Sequence, residues 1–138
     1  MKTTFLVIGK TIDKHLTALI DEYTQRVKHY QPFDIEVIPE LKNTKALSIE
    51  QQKANEAELL KKSIKDGDYV VLLDEGGREC RSIEFASYLQ QKQSIPARRL
   101  VFVVGGPYGF APEIYALARE KISLSKMTFS HQMVRLFF

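Results

Sequence analysis

Apolar residues fall into two patterns along this chain, and the patterns alternate. Three short blocks, Phe5 to Ile8, Tyr69 to Leu73 and Leu100 to Val104, are apolar without interruption. Such runs read as strands buried on both faces in the middle of an α/β sheet. Elsewhere apolar residues recur at three- and four-residue intervals, as one face of a helix does. From Asp13 onward Leu16, Leu19, Ile20, Tyr23, Val27 and Tyr30 do so, and Pro32 closes the segment. Phe33, Ile35 and Val37 then alternate as a second strand. Pro39 to Leu47 reads as a loop. Ser48 to Gln51 matches a capping box, followed by Ala54, Ala57, Leu60 and Ile64 at helical spacing with a heavily charged exterior read as solvated. Asp66-Gly67-Asp68 turns the chain into the third strand, which ends in a polar glycine loop, Asp74 to Arg78. Ser82 is placed to cap a third helix with Glu84 in its first turn. Pro112 opens a fourth helix reaching Arg119, and Ile122 to Leu124 forms a short last strand. This succession predicts one α/β domain over residues 1–138, with a mostly parallel five- to six-stranded sheet and helices on both faces.

Composition changes that picture little. The chain has 44% hydrophobic and 27% charged residues, with a formal net charge of +3. This charge tolerates a nucleic-acid partner without demanding one. No apolar run reaches the roughly 18 residues of a membrane span. A single cysteine, Cys80, excludes a disulfide framework and suits a reducing cytoplasm. The three histidines, His15, His29 and His131, show no ligand spacing, and Asp74-Glu75 has no third ligand nearby, so no metal site is expected.

Chemistry is expected where the third uninterrupted apolar block ends, in Gly105-Gly106-Pro107-Tyr108-Gly109. Ligands of open α/β sheets bind at the carboxyl ends of strands. Gly105 and Gly106 would allow positive φ or close approach to a ligand. A dinucleotide site is disfavoured, because Gly9 to Asp13 lacks the Gly-x-Gly-x-x-Gly spacing, and no phosphate-loop motif occurs. The glycine loop has no lysine, and Pro107 removes an amide donor, so the loop suits a ligand without phosphate. Farther on, small or polar Ser125, Lys126 and Thr128 interleave with apolar Leu124, Met127 and Phe129, a mixture able to wrap a purine. Ser130 is a good N-cap for a final helix carrying Met133, Val134 and Phe137.

Val-Val-Gly-Gly-Pro-Tyr-Gly at 103–109 and Leu-Ser-Lys-Met-Thr-Phe-Ser-His-Gln-Met-Val-Arg at 124–135 resemble the signatures of SPOUT-class methyltransferases. More closely, they are similar to the one-domain family that methylates N3 of a pseudouridine in 23S ribosomal RNA. Leu-Val-Ile-Gly-Lys at 6–10, Tyr23 with Arg26, and Leu-Leu-Asp-Glu-Gly-Gly at 72–77 extend the match over the whole chain. The resemblance implies a C-terminal trefoil knot, a rare exception to unthreaded topology, and a homodimer binding S-adenosylmethionine. It implies cofactor contacts at Leu73, Gly105, Leu124, Ser125, Lys126, Met127, Thr128 and Phe129. The family runs past the position of Phe138 with a longer helix and an aromatic–histidine tail, so the last helix is expected to be cut at about two turns.

Methyl transfer to N3 requires that its proton leave before or during attack. His131, of the residue type that titrates nearest neutrality, is one candidate for taking it. Arg135, a turn later, could stabilise the developing anion or hold a phosphate. Lys10, Lys14, Arg78, Arg81 and Arg135 are the basic residues expected near the site. Shape and phosphate contacts should dominate recognition by so small a domain. The rival expectation is a non-catalytic dimeric RNA- or ribosome-binding module with the same fold.

Overall fold

A computed structural model describes residues 1–42 and 44–138. Its order is β1 (Lys2–Ile8), α1 (Lys14–Lys28), β2 (Phe33–Ile38), α2 (Ile49–Ser63), β3 (Asp68–Glu79), α3 (Ser82–Lys92), β4 (Arg99–Val104), α4 (Pro112–Leu117), β5 (Glu120–Ser123) and α5 (Val134–Phe137). The five strands pair in parallel, in the order β2-β1-β4-β3-β5. The three uninterrupted apolar blocks are therefore the three inner strands, with Leu100 to Val104 in the middle. Leu6, Val71, Leu72 and Leu100 to Val103 are all fully enclosed. Each such side chain contributes about 1.5–3 kcal/mol on leaving water.

Alternate residues of each inner strand serve opposite layers. On one side Leu6, Leu72, Val101 and Val103 pack with Leu60 of α2 and Ile114 of α4. On the other, Phe5, Val71 and Phe102 meet Tyr88 and Phe85 of α3 and Phe138 after α5. Phe138 stacks 4.5 Å from the Phe5 ring and 4.9 Å from that of Phe102. The chain's last residue thus sits among core aromatics.

Several local expectations change. Val37 and the α1 residues Leu19 and Tyr23 are exposed, because β2 and α1 lie at the open edge of the sheet. On α2 the Ser48 capping box forms, but Ala54 faces solvent while Glu56 is buried. Arg81, not Ser82, occupies the N-cap of α3, and the Glu84 carboxylate accepts the Arg81 backbone N–H at 2.8 Å. The segment Asp74 to Arg78 is not a loop after the strand. β3 continues through it, and both Leu73 and Arg78 come into register with Ile122 of β5. A Cβ at Gly77 would stand 2.6 Å from the Ile122 backbone nitrogen, so the two main chains touch there. Met133 is the formal N-cap of α5, while Ser130 caps the turn just before it, accepting the Met133 N–H at 3.0 Å.

Candidate functional site

Parallel pairing brings the carboxyl ends of β3, β4 and β5 together, and between them lies a cavity of about 560 Å³. Leu73, Asp74 and Glu75 form one wall, and Val104 with the Gly105–Phe110 loop forms another. Ser123 to Ser125 and Met127 to His131 close it from the tail. No helix is long and apolar enough to cross a membrane among the described residues, nor do three His, Cys, Asp or Glu side chains gather to hold a metal.

The loop's three glycines have three different causes. Gly109 alone takes the left-handed conformation, at φ 81°, opposite an antiparallel bridge from Gly106. Gly105 is kept small by the Phe110 ring, 3.1 Å from where its Cβ would stand. Gly106 is kept small by a carboxyl group: Glu56 Oε2 would lie 2.5 Å from a Cβ there. The positive φ considered for Gly105 and Gly106 is not adopted by either.

Short hydrogen bonds hold the remaining walls. Ser125 Oγ accepts the Met127 N–H at 2.9 Å, and Ser123 Oγ donates to the Ser125 carbonyl at 2.9 Å. Thr128 Oγ1 donates to Glu75 at 3.2 Å, fastening the tail to the end of β3. From α4, the Tyr115 hydroxyl donates to Asp74 at 2.6 Å. Burial and that bond push the phenol up to about 12, so Tyr115 remains a neutral donor near pH 7.

Of the residues singled out in the sequence, Leu73, Gly105, Leu124, Ser125, Met127, Thr128, Phe129 and His131 all line the cavity. Two do not. The Lys126 ammonium points to solvent, 3.7 Å from Glu79. Arg135 is turned the other way and only 5% exposed. Its guanidinium donates to the Gly9 carbonyl at 2.8 Å, the Ile8 carbonyl at 2.9 Å, Thr11 Oγ1 at 3.0 Å and the His131 carbonyl at 3.1 Å. Burial draws its pKa below the ordinary guanidinium value. This geometry clamps the tail onto the end of β1 and presents no donor to the cavity. Gln132 repeats the clamp, accepting from the Ile12 N–H at 3.0 Å and donating to the Lys10 carbonyl at 3.2 Å.

Sequence reasoning set Asp74 and Glu75 aside as an incomplete metal pair, and gave Tyr115 and Phe110 no role. It counted Glu56 with the charged exterior of α2. The signal for Glu56 was present: it precedes buried Leu60 by four residues and so shares its helix face.

A parallel α/β domain with a cavity built from strand ends, main chain, small hydroxyls and apolar side chains has a lining suited to a small organic ligand. Comparison with known proteins makes this specific. The chain belongs to the SPOUT methyltransferases: residues 1–138 match the family described as "Predicted SPOUT methyltransferase". Proteins called ribosomal RNA large subunit methyltransferase H align with all of it. The one from Phocaeicola vulgatus is 61% identical, that from Bacteroides thetaiotaomicron 58% and that from Porphyromonas gingivalis 49%. In each case the match covers 100% of this chain and 88% of the relative.

Proposed function

We propose that this chain transfers a methyl group from S-adenosylmethionine to N3 of a pseudouridine in the 23S RNA of the large ribosomal subunit. The observation that carries the reading is the cavity itself. Leu73, Gly105 and the 124–129 segment, distant in sequence, converge on one space. That space fits the cofactor's chemistry. Asp74 and Glu75 suit a ligand bearing a sulfonium and an ammonium, and the absence of lysine from the lining disfavours a phosphate ligand. Leu73, Val104, Leu124 and Phe129 supply apolar walls for the adenine and its sugar. Lys126, its ammonium toward solvent, lies between Ser125 and Met127 of the lining.

Bound there, S-adenosylmethionine supplies an electrophilic methyl that needs no metal. The protein's task is to align N3 with it, exclude water and remove one proton. His131 is exposed at the rim of the cavity, which supports its assignment as acceptor of the N3 proton. Arg135 acts on the tail's position rather than on the reacting atoms. The double register of Leu73 and Arg78 on Ile122, with the main-chain contact at Gly77, supports a threaded crossing of the knotted kind. Exposed Leu19, Tyr23 and Phe137 border an apolar groove of about 460 Å³ on the α1–α5 face, which supports a homodimer. A ribosomal substrate implies the cytoplasm.

The test is transfer of tritiated methyl from S-adenosylmethionine to free 23S RNA, isolated large subunits and whole ribosomes. Label should enter at least one of them, at N3 of a pseudouridine. In His131→Ala, calorimetric affinity for S-adenosylmethionine should stay within about twofold while transfer falls about tenfold or more. Wild-type turnover by that variant removes His131 from the mechanism. A wild-type chain that binds no S-adenosylmethionine overturns the whole reading in favour of a binding module.

A further inference from the structure

Glu56 is the molecule's least expected buried side chain. It sits mid-way along α2, 7% exposed, and its Oε1 has no hydrogen-bond partner among the described residues. Directly opposite lies Gly106, in the wall of the cofactor cavity. The three heavy atoms nearest to a Cβ at 106 are Glu56 Oε2, Oε1 and Cδ, at 2.5, 2.7 and 2.9 Å. Gly106 does not have a left-handed φ, so its backbone conformation is open to any L-residue. The atoms nearest to such a side chain all belong to the Glu56 carboxyl group.

A lone buried carboxyl with an orphaned oxygen is costly. An apolar residue would be the ordinary choice at this position. We propose that Glu56 is a positioning residue for the methyl-transfer site: its carboxyl group props the Gly105–Gly109 wall from behind and sets how closely that backbone approaches the cofactor. The proposal rests on the cofactor reading only for its consequence on affinity. The propping itself concerns two groups already in contact.

The surroundings favour the protonated form. Burial raises the carboxyl's pKa, and Gln52, one turn earlier, only partly opposes this. Lys53 on α2 is the one other ionisable side chain lining this space among the described residues. β1, the loop and α4 bring only Ile8, glycines, Phe110, Ala111 and Ile114. Because the folded-state pKa is raised, the folded protein holds the proton more tightly than the unfolded chain. Loop order is therefore complete below the ordinary carboxylate range and is lost as pH rises through the folded value.

The test uses hydrogen exchange of the 104–110 peptide in the cofactor-free protein, with rates normalised for intrinsic pH dependence. In Glu56→Ala this segment should exchange about tenfold faster at the acidic end of the pH range in which the protein is folded, while Glu56→Gln stays within about twofold of wild type there. As pH rises from the ordinary carboxylate range toward pH 8.5, wild-type protection should decline and that of Glu56→Gln should stay flat. Gly106→Ala should loosen the loop by itself. Combined with Glu56→Ala it should exchange no faster than about threefold above Glu56→Ala alone, because the carboxyl it collides with is gone. Multiplicative effects in the double variant, or unchanged exchange in Glu56→Ala, overturn the proposal. Should Glu56→Ala not fold, the pH comparison of wild type with Glu56→Gln decides alone. Calorimetry separates the two layers: Glu56→Ala should bind S-adenosylmethionine about tenfold more weakly. A loosened loop with unchanged affinity leaves the prop intact and removes the loop from the cofactor site.

Discussion

At the scale of single residues, charge and burial decide more than residue type. Arg135 carries a permanent cation and stands one turn after His131, and on those grounds the sequence offered it for catalysis. Its surroundings assign it other work: the Ile8 and Gly9 carbonyls, the Thr11 hydroxyl and the His131 carbonyl of the preceding turn occupy its donors. Replacing it with methionine keeps the apolar stem but strands those acceptors. Arg135→Met should therefore lose about 2–4 kcal/mol of stability in urea unfolding. Arg135→Lys should recover less than half, because an ammonium cannot reach the Ile8 and Gly9 carbonyls with the geometry of a guanidinium fork. A catalytic Arg135 predicts the opposite pattern, with stability retained by lysine and turnover abolished.

Among elements, β3 shows where sequence reading succeeds and where it stops. Its apolar half was legible because burial on both faces leaves no polar position, and the same signal located β1 and β4. Its second half, Asp74 to Glu79, carries polar residues and two glycines, which in isolation spell a loop. What makes it a strand is β5, more than forty residues away in sequence, crossing so close that Gly77 has no room for a side chain. Local pattern holds no trace of such a contact. Gly77→Ala should accordingly be far worse than Gly76→Ala, where the nearest atom to a new Cβ is the flexible Lys121 ammonium at 3.9 Å. The expected cost is about 3 kcal/mol or more for Gly77→Ala and under about 1 kcal/mol for Gly76→Ala, read from thermal or urea unfolding. Equal costs would mean that the crossing is slack. Helix boundaries erred more mildly, since caps such as Arg81 depend on a reciprocal bond from Glu84 rather than on the cap residue's own side chain.

For the molecule as a whole, the site was more legible than its supports. Leu73, Gly105 and the 124–129 run stood out as motif and strand end, and parallel topology alone places strand ends together. The groups that brace them, Glu56 under the glycine loop, Tyr115 on Asp74 and Arg135 on β1, look like surface charge or plain helix residues until the fold brings them in. Because strands from the middle and end of the chain all contribute walls, the cavity exists only in the folded state. A ligand that fills it should stabilise the whole domain by mass action. At one hundred times its dissociation constant S-adenosylmethionine should add about 2.7 kcal/mol. For a chain of 138 residues that corresponds to a melting temperature higher by about 6–10 °C. ATP at the same concentration shares the adenosine but brings phosphates toward Asp74 and Glu75 with no lysine in the lining, and should shift the melt by less than about 1 °C. Equal shifts from the two nucleosides would show that adenine alone is recognised and would sink the charge argument. Stabilisation by S-adenosylmethionine only, lost in a Leu73→Lys variant that places an ammonium in the wall, is the outcome this architecture requires.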